Sequence, residues 1–204
     1  MRWDRLFEDL EDQLASEWEA ERAALDTEAE RLRLSRVALR DRLRALASTG
    51  GGPQPTIALA DDTVVVGRVA GVGADWVAMD AGSARAGALV VPLAAIRSVG
   101  VPHAELLRSA RPPASDDRPA LADRMTLGFV LRDAARRRLP VRVQVIGGRM
   151  LSGTIDRAGV DHLDLALHEP GAARRADEVT GYRMVPFAAI ACVRLDAAAE
   201  PVFG

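Results

Sequence analysis

"VVPLAAIRSV" (Val90–Val99) returns as "MVPFAAIACV" (Met184–Val193), ninety-four positions later in a chain of 204 residues. The likeness continues upstream at an offset of 86. Gly67 falls on Gly153, Val69 on Ile155, Gly73 on Gly159, Asp75 on Asp161, Val77 on Leu163 and Met79 on Leu165. The offset then grows by eight because the second copy carries a longer loop, Glu169 to Tyr182. Such self-similarity marks an internal duplication. Two copies predict two domains rather than a solenoid, which needs three or more repeats.

Within each copy the apolar residues alternate over short runs between turn signals, a strand pattern. "TIALADDTVVVGRVAGVGADWVAMDAG" reads as three strands joined by an Asp61-Asp62 turn and a Gly-containing turn. "ALVVPLAAIRSVGV" adds a fourth strand, a short turn at Pro92–Ala95 and a fifth strand. The second copy has the same order, with Gly147-Gly148 in its first hairpin. Five short strands bent around a central Gly predict a small closed barrel, because closure removes exposed edges.

Residues 3–47 contain no Gly or Pro and are rich in helix formers. Trp3, Phe7, Leu10, Leu14, Trp18, Leu25, Ala29, Leu32, Leu39, Leu43 and Leu46 make a heptad seam with a stutter near Trp18. A helix of 45 residues would extend about 65 Å, too long for a small domain to cover. Residues 1–30 carry eleven acids against three arginines, −8, and residues 31–48 six arginines against one acid, +5. An antiparallel homodimer would set acidic halves against basic ones. A helix broken near Ser16 or Thr27 and folded back on its own barrel is the alternative.

The predicted fold class is therefore α+β. A long N-terminal helix (1–48, coiled-coil or docking) and a Gly/Pro linker (49–55) lead to a five-stranded antiparallel barrel (56–101). A connector with a helix (102–140), a second such barrel (141–196) and a tail (197–204) follow. The connector carries eight arginines against five acids, +3, with Arg136, Arg137 and Arg138 at the predicted helix end.

The barrel pattern resembles the Sm-like and wider SH3-like small barrels. Its best local match is "GRMLSGTIDRAGVDHLDLAL", Gly148–Leu167, which resembles the first Sm motif. The resemblance implies an RNA-reading Asn where this chain has Asp164 and Ala78. It implies a basic-Gly turn where the chain has Pro92-Leu93-Ala94-Ala95 and Pro186-Phe187-Ala188-Ala189. A barrel without its RNA-reading residues is the expectation, since fold alone carries no function. The whole arrangement also resembles an uncharacterised actinobacterial family, which transfers no activity.

The chain contains neither lysine nor asparagine. Both use codons that begin with two adenines, so a GC-rich genome explains the absence, and arginine clusters point less strongly to phosphate. Net charge is −2 with no broad basic face. No apolar run reaches the roughly 20 residues of a membrane helix, and the acidic N-terminus is unlike a signal peptide. With one cysteine, these features point to a cytoplasmic protein.

No catalytic, cofactor or metal site is predicted. His162, Asp164 and His168 read as outward residues on one strand, opposite Leu163, Leu165 and Leu167. Cys192 reads as a packing residue. Trp3, Phe7, Trp18 and Trp76 are the partner-binding candidates, Trp76 because alternation turns it away from Val77 and Met79, though packing under a helix also accounts for it. Arg136, Arg137, Arg138, Arg174 and Arg175 are the nucleic-acid candidates. The expected function is a non-enzymatic interaction or scaffold protein, with the helix for oligomerisation or docking and the tandem barrels as binding surfaces. Its partner would be a second copy or another helical protein. An RNA- or DNA-associated regulator using the barrels and arginines is the alternative.

Overall fold

The computed structural model describes residues 2–47, 54–80, 87–111, 121–170, 175 and 177–195. Most of the expected linker, the tail and Arg174 lie outside the described residues. The N-terminal stretch forms two helices, α1 (Arg2–Ser35) and α2 (Leu39–Ala47). Neither Gly nor Pro causes the break. The last turn of α1 tightens, with the Arg36 and Val37 amides donating to the carbonyls of Arg33 and Leu34. Ser35 Oγ donates back to the Leu32 carbonyl at 2.8 Å. Three-residue closure of this kind ends a helix. It frees α2 to turn Leu43, fully buried, onto the sheet beneath.

Each half of the chain then lays down its strands in the same order. The first half has β1 (Thr56–Leu59) and a strand divided at Gly67 into β2 (Val64–Val66) and β3 (Arg68–Val72). β4 (Trp76–Asp80), β5 (Leu89–Pro92) and β6 (Ile96–Gly100) follow. Helices α3 (His103–Ser109) and α4 (Leu127–Arg136) intervene. The second half has β7 (Pro140–Val145), β8 (Met150–Ala158), β9 (His162–Leu167), β10 (Gly181–Pro186) and β11 (Ile190–Leu195). The duplicated decapeptide makes the same object twice: a strand end, a one-turn 3-10 helix (Leu93–Ala95, Phe187–Ala189) and the next strand.

The two expected Sm/SH3-like barrels are not there. All the pairings are antiparallel, in a three-stranded sheet β2–β1–β6 and an eight-stranded sheet β10–β9–β8–β7–β11–β5–β4–β3, neither of them closed. Instead of curling on its own half, β5 takes β11 of the other half as its second partner. Val90 lies opposite Val193 and Leu89 opposite Arg194, and the Leu195 amide donates to the Ala88 carbonyl at 2.9 Å. The edge that closure was expected to hide is hidden by the other repeat. The Sm-like resemblance, and the family likeness built on the same barrels, are corrected by this open architecture.

Packing follows the shared sheet. One core gathers Leu131, Ile155, Leu163 and Leu165 of the second half and takes in Trp76, Ala78 and Val90 of the first. The other gathers Leu43, Ile57, Leu59 and Met79 and takes in Cys192 of the second half. Each half thus lends side chains to the other's core. A fully buried large apolar side chain contributes roughly 1.5–3 kcal/mol, so the exchange ties the halves together.

Candidate functional site

The side chains of Trp3 and Phe7, in the first turns of α1, fall outside what is described. Trp18 is described, and it is 68% exposed. Leu25 and Leu32, one and two heptads further on, are 66% and 52% exposed. Single exposed apolar residues are ordinary; a row of three at one heptad position is an unfilled seam. The next member of the row, Leu39, opens α2 and is also exposed. Sequence reasoning saw this spacing but named only Trp18 from the row as a candidate.

Trp76 is not an exposed anchor. It is fully buried, with its indole Nε1 donating to the Met125 carbonyl at 2.8 Å. The turn before it holds the start of α4. The Ala74 amide donates to the same carbonyl at 2.9 Å, and Asp75 Oδ1 accepts from the Leu127 amide at 2.6 Å. Thr126 caps the same end by accepting from the Phe129 amide. Gly73 is required here, because a Cβ would lie 2.3 Å from the Trp76 ring.

A cavity of about 190 Å³ opens between α2, α3 and β6, lined by Leu39, Leu46, Ile96, Val99 and Leu106 with Arg42. Arg42 reaches from α2 to the Ser109 hydroxyl and, at 2.8 Å, to the Leu106 carbonyl. The cavity is mostly apolar and holds no cluster of ionisable groups that would suggest chemistry.

The remaining candidates are dispersed. His168, expected to face outward, is buried. Its Nδ1 donates to the Glu169 carbonyl at 3.1 Å, so its Nε2 accepts from the Thr154 hydroxyl at 2.8 Å. His162 is partly exposed and contacts Asp161 at 2.9 Å; that hydrogen bond holds the Asp161 carboxyl below the usual carboxylate value. Burial first, then the nearby Asp61 charge, pushes the Cys192 thiol up to about 11, which leaves it a protonated, weak nucleophile. Among the described residues, no group of three His, Cys, Asp or Glu side chains could hold a metal.

Arg136 and Arg137 both close onto Asp133 of their own helix, at 2.6 and 2.8 Å. Arg138 ends α4 with a left-handed φ of 54°. Arg175 is exposed in the loop before β10. With the barrels gone, barrel-borne binding surfaces are corrected out of the expected function. The nucleic-acid alternative loses its barrel surfaces in the same way. No helix among the described residues is long and apolar enough to cross a membrane.

No family model, curated protein or solved structure matches the chain.

Proposed function

We propose that the chain acts through assembly, with α1 pairing antiparallel against α1 of a second copy. The row Trp18, Leu25 and Leu32, exposed at one heptad position, carries this reading. A parallel pair would superpose the acidic residues of α1 on their own like along the whole helix, and Arg31 and Arg33 on theirs. Centring the pair on Trp18 against Trp18 places Leu25 near Leu10 and Leu32 near Trp3 by residue number.

Mass measured by light scattering at tens of micromolar tests it. The wild-type chain should form at least a dimer. Trp18→Glu with Leu25→Glu should lower the mass and leave the sheet's circular dichroism signal unchanged, because both positions are exposed. A monomeric wild-type chain, or an unchanged mass in the double variant, would overturn it.

A further inference from the structure

We infer that a second copy of this chain docks edge to edge, its β10 against β6, repeating between molecules the β5–β11 junction found within one. This goes beyond helix pairing and rests on different residues.

The duplication makes the strands of the two repeats interchangeable in plan. β5 and β10 are equivalent strands, and so are β6 and β11. Inside the molecule, β5 of the first repeat meets β11 of the second. Among the described residues, the other two members of that set have no strand on their second side. β10 is the outer strand of the eight-stranded sheet and β6 the outer strand of the three-stranded sheet. One molecule therefore ends in the two unmatched halves of a junction it already contains. Shifting the internal register by ninety-four residues sets Met184 opposite Val99 and Arg183 opposite Gly100. It also aims the Val101 amide at the Tyr182 carbonyl.

The side chains match this register. At the internal junction Val90 leaves its own half and enters the core of the other. Its equivalent, Met184, is 76% exposed. The counterpart of the core that receives Val90 is the region under α2 beside β6, where the 190 Å³ cavity lies open. A long, flexible, apolar side chain suits such a cavity.

The helix ends match as well. α2 and α4 occupy equivalent places: they pack on β3 and β8, start at Leu39 and Leu127, and bury Leu43 and Leu131 as their fifth residues. The Leu127 amide is capped from the first repeat by Asp75. Thr126, just before α4, adds a second cap on the Phe129 amide, and its counterpart before α2 is Ala38, which has no side-chain acceptor. Asp161 is the equivalent of Asp75 and lies exposed at the β10 end. The ring of His162 lies 2.7 Å from where a Gly159 Cβ would be, and that of Trp76 covers Gly73 in the same way at 2.3 Å. In the docked pair, Asp161 caps the Leu39 amide and the His162 ring takes the Trp76 position. Charge agrees: Ala78 and Val130 of the internal core correspond to Asp164 and Arg42 at the open ends, an acid on one and a base on the other.

An interface joining two different surfaces propagates head to tail, into a ring if the rotation closes and a filament if it does not. Paired cysteines test it in the full chain. Val99→Cys in one preparation and Met184→Cys in another are mixed and oxidised, both also carrying Trp18→Glu and Leu25→Glu so that α1 pairing contributes nothing. Directly opposed strand residues lie within disulfide reach, and the native Cys192 is buried. A disulfide-linked heterodimer should dominate the mixture, with neither variant forming a homodimer alone. No cross-link, or Met184→Cys homodimers, would overturn the docking and leave the helix-pairing test unaffected. Met184→Glu, at an exposed site that cannot unfold the chain by losing packing, should reduce the cross-link-free assembly at least tenfold.

Discussion

The Asp75 carboxylate accepts a hydrogen bond from the Leu127 amide at 2.6 Å, across fifty-two positions of sequence. One residue on, Trp76 donates to the Met125 carbonyl. These two bonds fasten a turn of the first repeat to the first turn of the helix that covers the second. Asp75→Ala removes a cap and should cost about 1 kcal/mol. Trp76→Phe loses the donor and part of the buried indole and should cost about 2 kcal/mol, whereas Trp76→Ala should cost about 3–5 kcal/mol. Urea unfolding of the three variants gives the order directly.

Gly153 and Gly71 separate crowding from conformational freedom. A Cβ on Gly153 would sit 2.0 Å from the Ala166 carbonyl oxygen in the neighbouring strand, while one on Gly71 meets nothing within 4 Å. Gly153→Ala must push β8 from β9 and should lose at least about 2 kcal/mol. Gly71→Ala should stay within about 0.5 kcal/mol of wild type in the same assay.

Arg138 holds the left-handed position after α4, where glycine is usual. Its amide donates to the Ala135 carbonyl and that of Leu139 to Ala134, the paired bonds of this helix ending. Arg138→Gly relieves the Cβ strain and should raise stability by about 0.5–1 kcal/mol. A fall in melting temperature would show that the arginine side chain contributes more than its backbone costs.

Cys192 gives an alkaline signature. Its thiol is raised to about 11 from 9.0 by burial and by the Asp61 charge. The unfolded chain releases this proton first, so stability falls as pH rises from 9 to 11. Cys192→Ala should flatten that limb of the stability curve. The thiol of the folded protein should also react far more slowly with iodoacetamide at pH 8 than that of the unfolded chain.

Asp61 gives an acid signature of opposite sense. Burial pushes its carboxyl up, but hydrogen bonds from Thr63 and Gln144 outweigh it and hold the group below 3.8. The Gln144 bond, 2.8 Å long, runs from the second repeat to the first. The stability it supplies is present above about pH 4 and is lost as pH falls through the lowered value. Gln144→Ala should make the acid limb shallower, read as unfolding free energy between pH 5 and 2.

What the sequence by itself determined is order and face. The doubled decapeptide announced two copies of one strand plan, and Pro92 and Pro186 do open the same one-turn helix. Alternation correctly turned Val77, Met79, Leu163 and Leu165 inward. It also set Trp76 on the face opposite Val77 and Met79, which α4 covers, as the packing reading expected; it failed at His168, because a period of two marks a buried face only while the other stays wet. The tertiary structure alone decided which edges meet. Edge pairing is made by amides and carbonyls that every residue shares, so no side-chain pattern could tell a strand that closes its own barrel from one that joins β5 to β11. The break between Ser35 and Leu39 was hidden for a like reason. A continuous heptad seam reads the same whether its end pairs with another helix or bends to bury Leu43 on the sheet.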